Sequence, residues 1–165
     1  MTPARQMNNS FIVKLLKGLN IFADLDDASL IELGGLFKER VFEQNEIIFE
    51  EGSIGNTMMI ITSGEVRISQ KAEAQSEAEE ALVILKKGDV FGEMALLEDL
   101  PRSATTIAHT SAITLEISRE DFLNYIFNNS KNGVKILLKL CRTLSSRLRE
   151  TDVKLKTFVS LSRWL

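Results

Sequence analysis

The 165-residue sequence predicts a mainly β fold with flanking helices: an antiparallel β jelly-roll barrel preceded by short helices and followed by one long helix. Three observations carry this reading. Apolar residues recur at three- and four-residue spacing in the amino-terminal segment. From Val41 to Ile117 the pattern changes to short β-rich runs broken by glycine turns. After Ser118 the helical period returns and continues toward the carboxy terminus. The length suits one domain with its own core, divided into helices over 1–40, the β-barrel over 41–117 and helices over 118–165.

Taken in order, Phe11, Ile12, Leu15, Leu16 and Leu19 mark a first amphipathic helix. A second follows Asp24, Asp26 and Asp27, acidic residues that suit the partial positive charge of a helix amino terminus, and it places Leu30, Leu33 and Phe37 on one face. Gly34-Gly35 weakens its middle. The β-rich runs are 46–50, 57–62, 66–69, 82–85, 104–109 and 113–117, with turns at Gly52, Gly55-Asn56, Ser63-Gly64 and Lys87-Gly88-Asp89. Short strands at this spacing point to a barrel or jelly roll. The polar segment 70–81 (QKAEAQSEAEEA) reads as a solvated hairpin loop.

Ser118-Arg119-Glu120-Asp121 has the form of a capping box with aspartate as the return acceptor, and Phe122, Tyr125 and Ile126 pack the helix it opens. The long helix runs from about 132 to 161. Leu137, Cys141, Leu144, Leu148, Thr151, Leu155 and Phe158 form a heptad seam on it. That seam serves either to pair with a second copy of the chain or to pack within one copy. Ile136 and Leu140 lie on a neighbouring face that turns toward the barrel.

Composition narrows the function. A net charge of -3 and a pI near 5.3 argue against a general nucleic-acid binder. One cysteine, Cys141, excludes an internal disulfide, and with only one histidine, His109, neither a cysteine zinc cluster nor a histidine-rich catalytic centre can be built. His109 reads as a surface or satisfied histidine and Cys141 as a small seam residue. No apolar run approaches the roughly 18 residues needed to cross a bilayer, and the polar amino terminus lacks the form of a signal peptide. No membrane association and a cytoplasmic location are therefore expected. Phosphodiester hydrolysis would need a metal cluster or a placed acid–base pair, so the chain is expected not to be an enzyme.

The most informative stretch is Phe91-Gly92-Glu93-Met94-Ala95-Leu96-Leu97, closed by Pro101-Arg102-Ser103-Ala104-Thr105. Gly92 lets a ligand approach the backbone closely. Residues 93–98 read as one and a half helical turns whose free N–H groups form a small anion site, and Pro101 ends that helix by keeping Leu100 extended. The Arg102 guanidinium suits phosphate oxygens. Glu93 offers acceptors to a hydroxyl, whereas beside a phosphate it would be repelled. The arrangement therefore puts Glu93 on a sugar and Arg102 on a phosphate, two groups that a cyclic nucleotide carries together.

FGEMALLEDLPRSATTIA resembles the phosphate-binding cassette of the cyclic nucleotide-binding domain superfamily. The likeness extends to LNIFADLDDASL, EIIFEEGSIGNTMMIITSGEVRI, LKKGDVFGE and ITLEISREDF, covering about residues 15 to 160. It implies that Glu93 accepts from the ribose 2′-hydroxyl and Arg102 binds the cyclic phosphate. Gly92, Ala95 and Ser103 would give backbone contacts, the Ser103 hydroxyl a further phosphate donor, and Val83 and Met94 a wall for sugar or base. In parts of the family a threonine after the arginine favours guanine, so Ser103 favours cyclic AMP over cyclic GMP. Thr151-Asp152 resembles a threonine–serine pair by which bacterial members touch adenine, with the aspartate departing from the pattern. Thr151 is then either a base contact or a polar seam residue. Trp164 is either a purine cap or a terminal anchor.

The expected protein is a receptor without catalytic residues, metal or cofactor, homodimeric through its last helix and acting on a separate effector protein. Direct DNA binding is not expected, because the family's DNA-binding members carry a helix-turn-helix after the long helix and this sequence stops at Leu165. The alternatives are the sensor half of a larger transcription regulator, or a degenerate domain kept as a protein-interaction module.

Overall fold

Asn8 accepts the Ser10 N–H at 2.9 Å and so caps helix α1 (Asn9–Lys17), which buries Ile12 and Leu16. This computed structural model describes residues 8–71 and 79–162. Helix α2 (Asp27–Gly34) is capped by Asp26, which accepts the Ser29 N–H at 2.8 Å. Hydrogen bonding to Ser29 holds the Asp26 carboxyl below its ordinary range. Gly34-Gly35 does not weaken the middle of α2 but ends it, Gly35 being the carboxy-terminal cap.

Eight strands follow: β1 (Lys38–Phe42), β2 (Ile47–Phe49), β3 (Thr57–Ser63), β4 (Glu65–Lys71), β5 (Glu79–Lys86), β6 (Val90–Phe91), β7 (Thr105–Ala108) and β8 (Ala112–Ser118). A 3-10 helix (Glu93–Leu96) lies between β6 and β7. The strands form two antiparallel four-stranded sheets, ordered β1-β8-β3-β6 and β2-β7-β4-β5. This is the mainly β class with flanking helices that the turn spacing predicts.

Two strands are invisible to the pattern. β1 starts at Lys38, within the stretch expected to be helical, because Lys38, Glu39, Arg40 and Val41 are all exposed and only Phe42 is buried. β6 has two residues, too few for any period. The polar segment 70–81 is partly strand: Gln70 pairs with Glu80 and Lys71 with Glu79, while 72–78 lie outside the described residues. At the β7–β8 turn His109 is half-buried, and its Nδ1 has no hydrogen-bond partner among the described residues.

The central strand β3 explains how the core divides. Met58 and Ile60 share one face of the pleat and point into a cluster with Leu30, Leu33, Leu115, Ile117 and Phe122. Met59 and Ile61 point the other way, into a second cluster between the sheets with Phe42, Val66, Phe91, Ala108 and Ala112. β3 is thus buried on both faces, which is why it reads as a continuous apolar run.

Helix α3 (Arg119–Asn128) opens at Ser118, whose Oγ accepts the Asp121 N–H at 3.0 Å and donates to Asp121 Oδ2 at 2.7 Å. The return arm of the box reaches the hydroxyl, as suits an aspartate one methylene shorter than the usual glutamate. Helix α4 (Ser130–Ser162) has 33 residues and so spans about 50 Å. Ile136 and Leu140 are buried in the helical cluster, and Leu137 packs partly against it. Asn132 Nδ2 donates to Ser29 Oγ at 2.9 Å, and Lys135 Nζ to the Asp24 carbonyl at 2.9 Å, tying α4 to α2 and the residues before it.

Val134, Leu138, Cys141 and Leu148 are exposed. The open stripe therefore shares Cys141 and Leu148 with the seam expected from the sequence. It takes Val134 and Leu138 in place of Leu137, which faces its own core. The side chains of Leu155 and Phe158, and all of Trp164, lie outside the described residues. Among the described residues no helix is long and apolar enough to cross a membrane.

Ile136→Ala should lower stability by about 2–5 kcal/mol through lost burial and a residual cavity, while Leu138→Ala on the open face should change it by less than about 0.5 kcal/mol. Urea denaturation of both variants checks this; equal losses would contradict the docking of α4.

Candidate functional site

The loop after β6 and the turn after β2 build the site together. Phe91 is buried between the sheets, and Gly92 then takes φ +73°, a left-handed conformation that turns the chain into the 3-10 helix. Leu96, fully buried among the helical residues, pins that helix from below. Glu93 at its start is 7% exposed. Further along, Arg102 is fixed by backbone pairing with the β2–β3 loop. Its N–H donates to the Ser53 carbonyl at 2.8 Å, and its carbonyl accepts the Gly52 N–H at 2.8 Å.

The Arg102 side chain is 8% exposed. Nη2 donates to the Thr57 carbonyl at 3.0 Å and to Thr57 Oγ1 at 3.1 Å, and Nη1 to the Gly92 carbonyl at 3.5 Å. Its Cζ lies 4.0 Å from the centroid of the Phe49 ring, within the range of a cation–π contact. Nε is buried without a partner among the described residues. Burial pulls the guanidinium below its usual pKa, and the Glu116 carboxylate opposes that; an arginine so placed remains a cation at neutral pH. Two glycines leave room for it. A Cβ at Gly55 would overlap the guanidinium, and one at Gly92 would stand 2.7 Å from Nη1 and 2.9 Å from the Thr57 carbonyl.

A cavity of about 330 Å³ opens beside these groups. Ile68, Val83, Leu85 and Val90 give it an apolar wall, and Glu93, Glu98, Arg102, Ser103 and Thr106 supply polar side chains. Gly92, Glu93, Met94, Ala95, Arg102, Ser103 and Val83, all singled out by the sequence, line this one cavity. Met94 and Val83 are about half exposed.

Two expectations change. The helix expected over 93–98 is a four-residue 3-10 turn, so the Ala95 N–H already donates to the Gly92 carbonyl at 3.2 Å. Thr151 does not line the cavity. It is exposed on α4, eleven residues beyond Leu140, about 16 Å further along the axis. Past Leu140 no described residue of α4 is buried.

Sequence reasoning misses Phe49, Thr57 and Glu98. Thr57 stands 45 residues from Arg102, and nothing in its neighbourhood announces a contact made only when β3 and the cassette fold together. Phe49 looks like any strand aromatic.

Buried Arg102 and buried Glu93 thus border one cavity that also has an apolar wall. Residues 39–129 match the family model described as the cyclic nucleotide-binding domain, and the chain belongs to that family. It is 33% identical over 119 residues to a cGMP-dependent protein kinase of Caenorhabditis briggsae, a match covering 72% of this chain and 16% of the kinase. It is 31% identical over 140 residues to the cyclic AMP receptor protein of Thermus thermophilus, covering 85% of this chain and 62% of that protein. The crystal structure of the Thermus thermophilus catabolite activator protein superposes with a TM-score of 0.75 at 29% identity, covering 84% of this chain and 62% of that one. The chain thus spans less than two thirds of each of these relatives.

Gly92→Ala should lower stability by about 1–2 kcal/mol, the cost of a side chain in the left-handed region, and should weaken nucleotide binding by crowding Nη1. Thermal melts and calorimetry on the same variant check both.

Proposed function

We propose that this domain is a non-enzymatic cyclic nucleotide receptor in which Glu93 accepts from the ribose 2′-hydroxyl and Arg102 neutralises the cyclic phosphate. The observation that carries this reading is that the buried Arg102 guanidinium and the buried Glu93 line the same cavity. Gly92, Ala95 and Ser103 lie close to the phosphate in this reading, with the Ser103 hydroxyl as a further donor. Val83 and Met94 border the sugar and base. Ser103 supports cyclic AMP over cyclic GMP, and relatives named for each nucleotide are among those found.

The signal passes to α4. Leu96 of the cassette shares one cluster with Phe122 of α3 and with Ile136 and Leu140 of α4, so a shift of the cassette repacks the helix that follows. Coupling of this kind is typically about 1–3 kcal/mol. Val134, Leu138, Cys141 and Leu148 form an exposed stripe with heptad-like steps, which supports pairing of α4 with a second copy. In that arrangement Thr151 meets a base only if α4 swings over the cavity or reaches across from the partner. The effector is a separate cytoplasmic protein or a further domain.

Arg102→Ala should cost roughly 2–5 kcal/mol of affinity for cyclic AMP, as expected on losing one partner of a buried charge pair. Replacing the ligand by its 2′-deoxy analogue should weaken binding about tenfold or more, since Glu93 then loses its hydroxyl. Calorimetry reads both, and normal binding by Arg102→Ala would remove the phosphate assignment.

A further inference from the structure

We propose that Phe49, Gly55 and Thr57 are positioning residues: they hold the Arg102 guanidinium in one orientation before any ligand arrives, so that phosphate affinity and selectivity depend on the β2–β3 segment as much as on the cassette. The proposal rests on the receptor reading above and names a second element of that same site.

An arginine side chain has several rotatable bonds, and freezing them on binding costs affinity. Here they are already frozen. Nη2 is held by both oxygens of Thr57, the carbonyl at 3.0 Å and the hydroxyl at 3.1 Å. The Phe49 ring lies 4.0 Å from Cζ, supplying dispersion and quadrupole attraction where water has been excluded. Gly55 comes so close that any side chain would overlap the guanidinium. These residues belong to β2, to the β2–β3 loop and to β3, and the backbone pairs of Arg102 with Gly52 and Ser53 join the same segment to the cassette. Each contact restricts a different motion. Thr57 opposes rotation in the guanidinium plane, Phe49 opposes tilting, and Gly55 leaves the space without which neither contact forms. Gly55 covers Nε, so Nη1, whose contact with the Gly92 carbonyl is long at 3.5 Å, is what these residues leave for a ligand.

The test is calorimetric titration of the intact chain and of Thr57→Val, Thr57→Ser and Phe49→Leu, with cyclic AMP and with its Sp and Rp phosphorothioates. The diastereomers differ only in which exocyclic phosphate atom is sulfur, so their affinity ratio reports how the cation is aimed. Thr57→Val and Phe49→Leu should each weaken cyclic AMP about three- to tenfold, the scale of one modest polar or cation–π contact, and should bring the Sp/Rp ratio toward one. Thr57→Ser, which restores the hydroxyl, should recover both. Thr57→Val is close to isosteric and keeps the test decisive should Phe49→Leu fold poorly. Unchanged affinity and an unchanged ratio in Thr57→Val, with Arg102→Ala still impaired, would overturn the positioning role and leave the receptor standing. Absence of binding by the unmodified chain to cyclic AMP, cyclic GMP and both analogues would overturn the receptor reading and this proposal with it.

Discussion

Holding one positive charge away from water is the constraint around which this domain is arranged. A buried guanidinium is costly unless its donors find acceptors, and the donors of Arg102 reach backbone and hydroxyl oxygens. The Thr57 carbonyl and hydroxyl, the Gly92 carbonyl and the Phe49 ring provide partial compensation. Carbonyl dipoles lower the cost of burial without cancelling the charge, which leaves field available to an incoming anion. A carboxylate in the place of those oxygens would make a more self-sufficient side chain and a poorer receptor.

That arrangement needs three segments distant in sequence to meet, and the two-faced strand β3 makes them meet. Thr57 at its start touches Arg102, while Met58 and Ile60 face the helices and Met59 and Ile61 face the second sheet. A single strand therefore links the Arg102 end of the cavity to both clusters of the core. The cassette adds a direct link, because Leu96 ends the 3-10 helix that Glu93 begins and is wholly buried with the helical residues. Leu96 shares that cluster with Phe122 of α3 and with Ile136 and Leu140 of α4, a close-packed arrangement of the kind that repacks in discrete steps.

What is legible in the sequence follows the range of the interactions involved. Gly92, Glu93 and Arg102 can be read as a group because one short segment carries them and the loop geometry is local. The strands β2, β3, β4, β5, β7 and β8 are readable through glycine turns and apolar content. β1 is not, since the run Lys38-Glu39-Arg40 carries no apolar alternation and is held by pairing to β8 from Lys38↔Glu116 to Phe42↔Ala112. Phe49 and Thr57 are not, because their contacts with Arg102 exist only across strands. Thr151 falls away from the cavity for a related reason: a spacing pattern names a helix face but not how far along its length the helix leaves the domain.

The attachments of α4 bear on how it can move. Asp24, in the connection between α1 and α2, accepts from Lys135 Nζ through its carbonyl and pairs with Lys139 through Oδ2 at 3.3 Å. Asn129 Nδ2 donates to Glu32 Oε1 at 3.1 Å and Asn132 Nδ2 to Ser29 Oγ at 2.9 Å. These contacts all join the α3–α4 junction and the first turns of α4 to α2 or the residues just before it. Partly exposed pairs of this kind are individually weak, yet they act together with the buried Ile136 and Leu140. A rigid displacement of α4 that kept them would carry the amino-terminal helices along. One that broke them would solvate two lysines and two asparagines at little cost, but it would also have to expose Ile136 and Leu140. Ile136 and Leu140 therefore anchor the first part of α4 to the domain, and beyond Leu140 no described residue is buried.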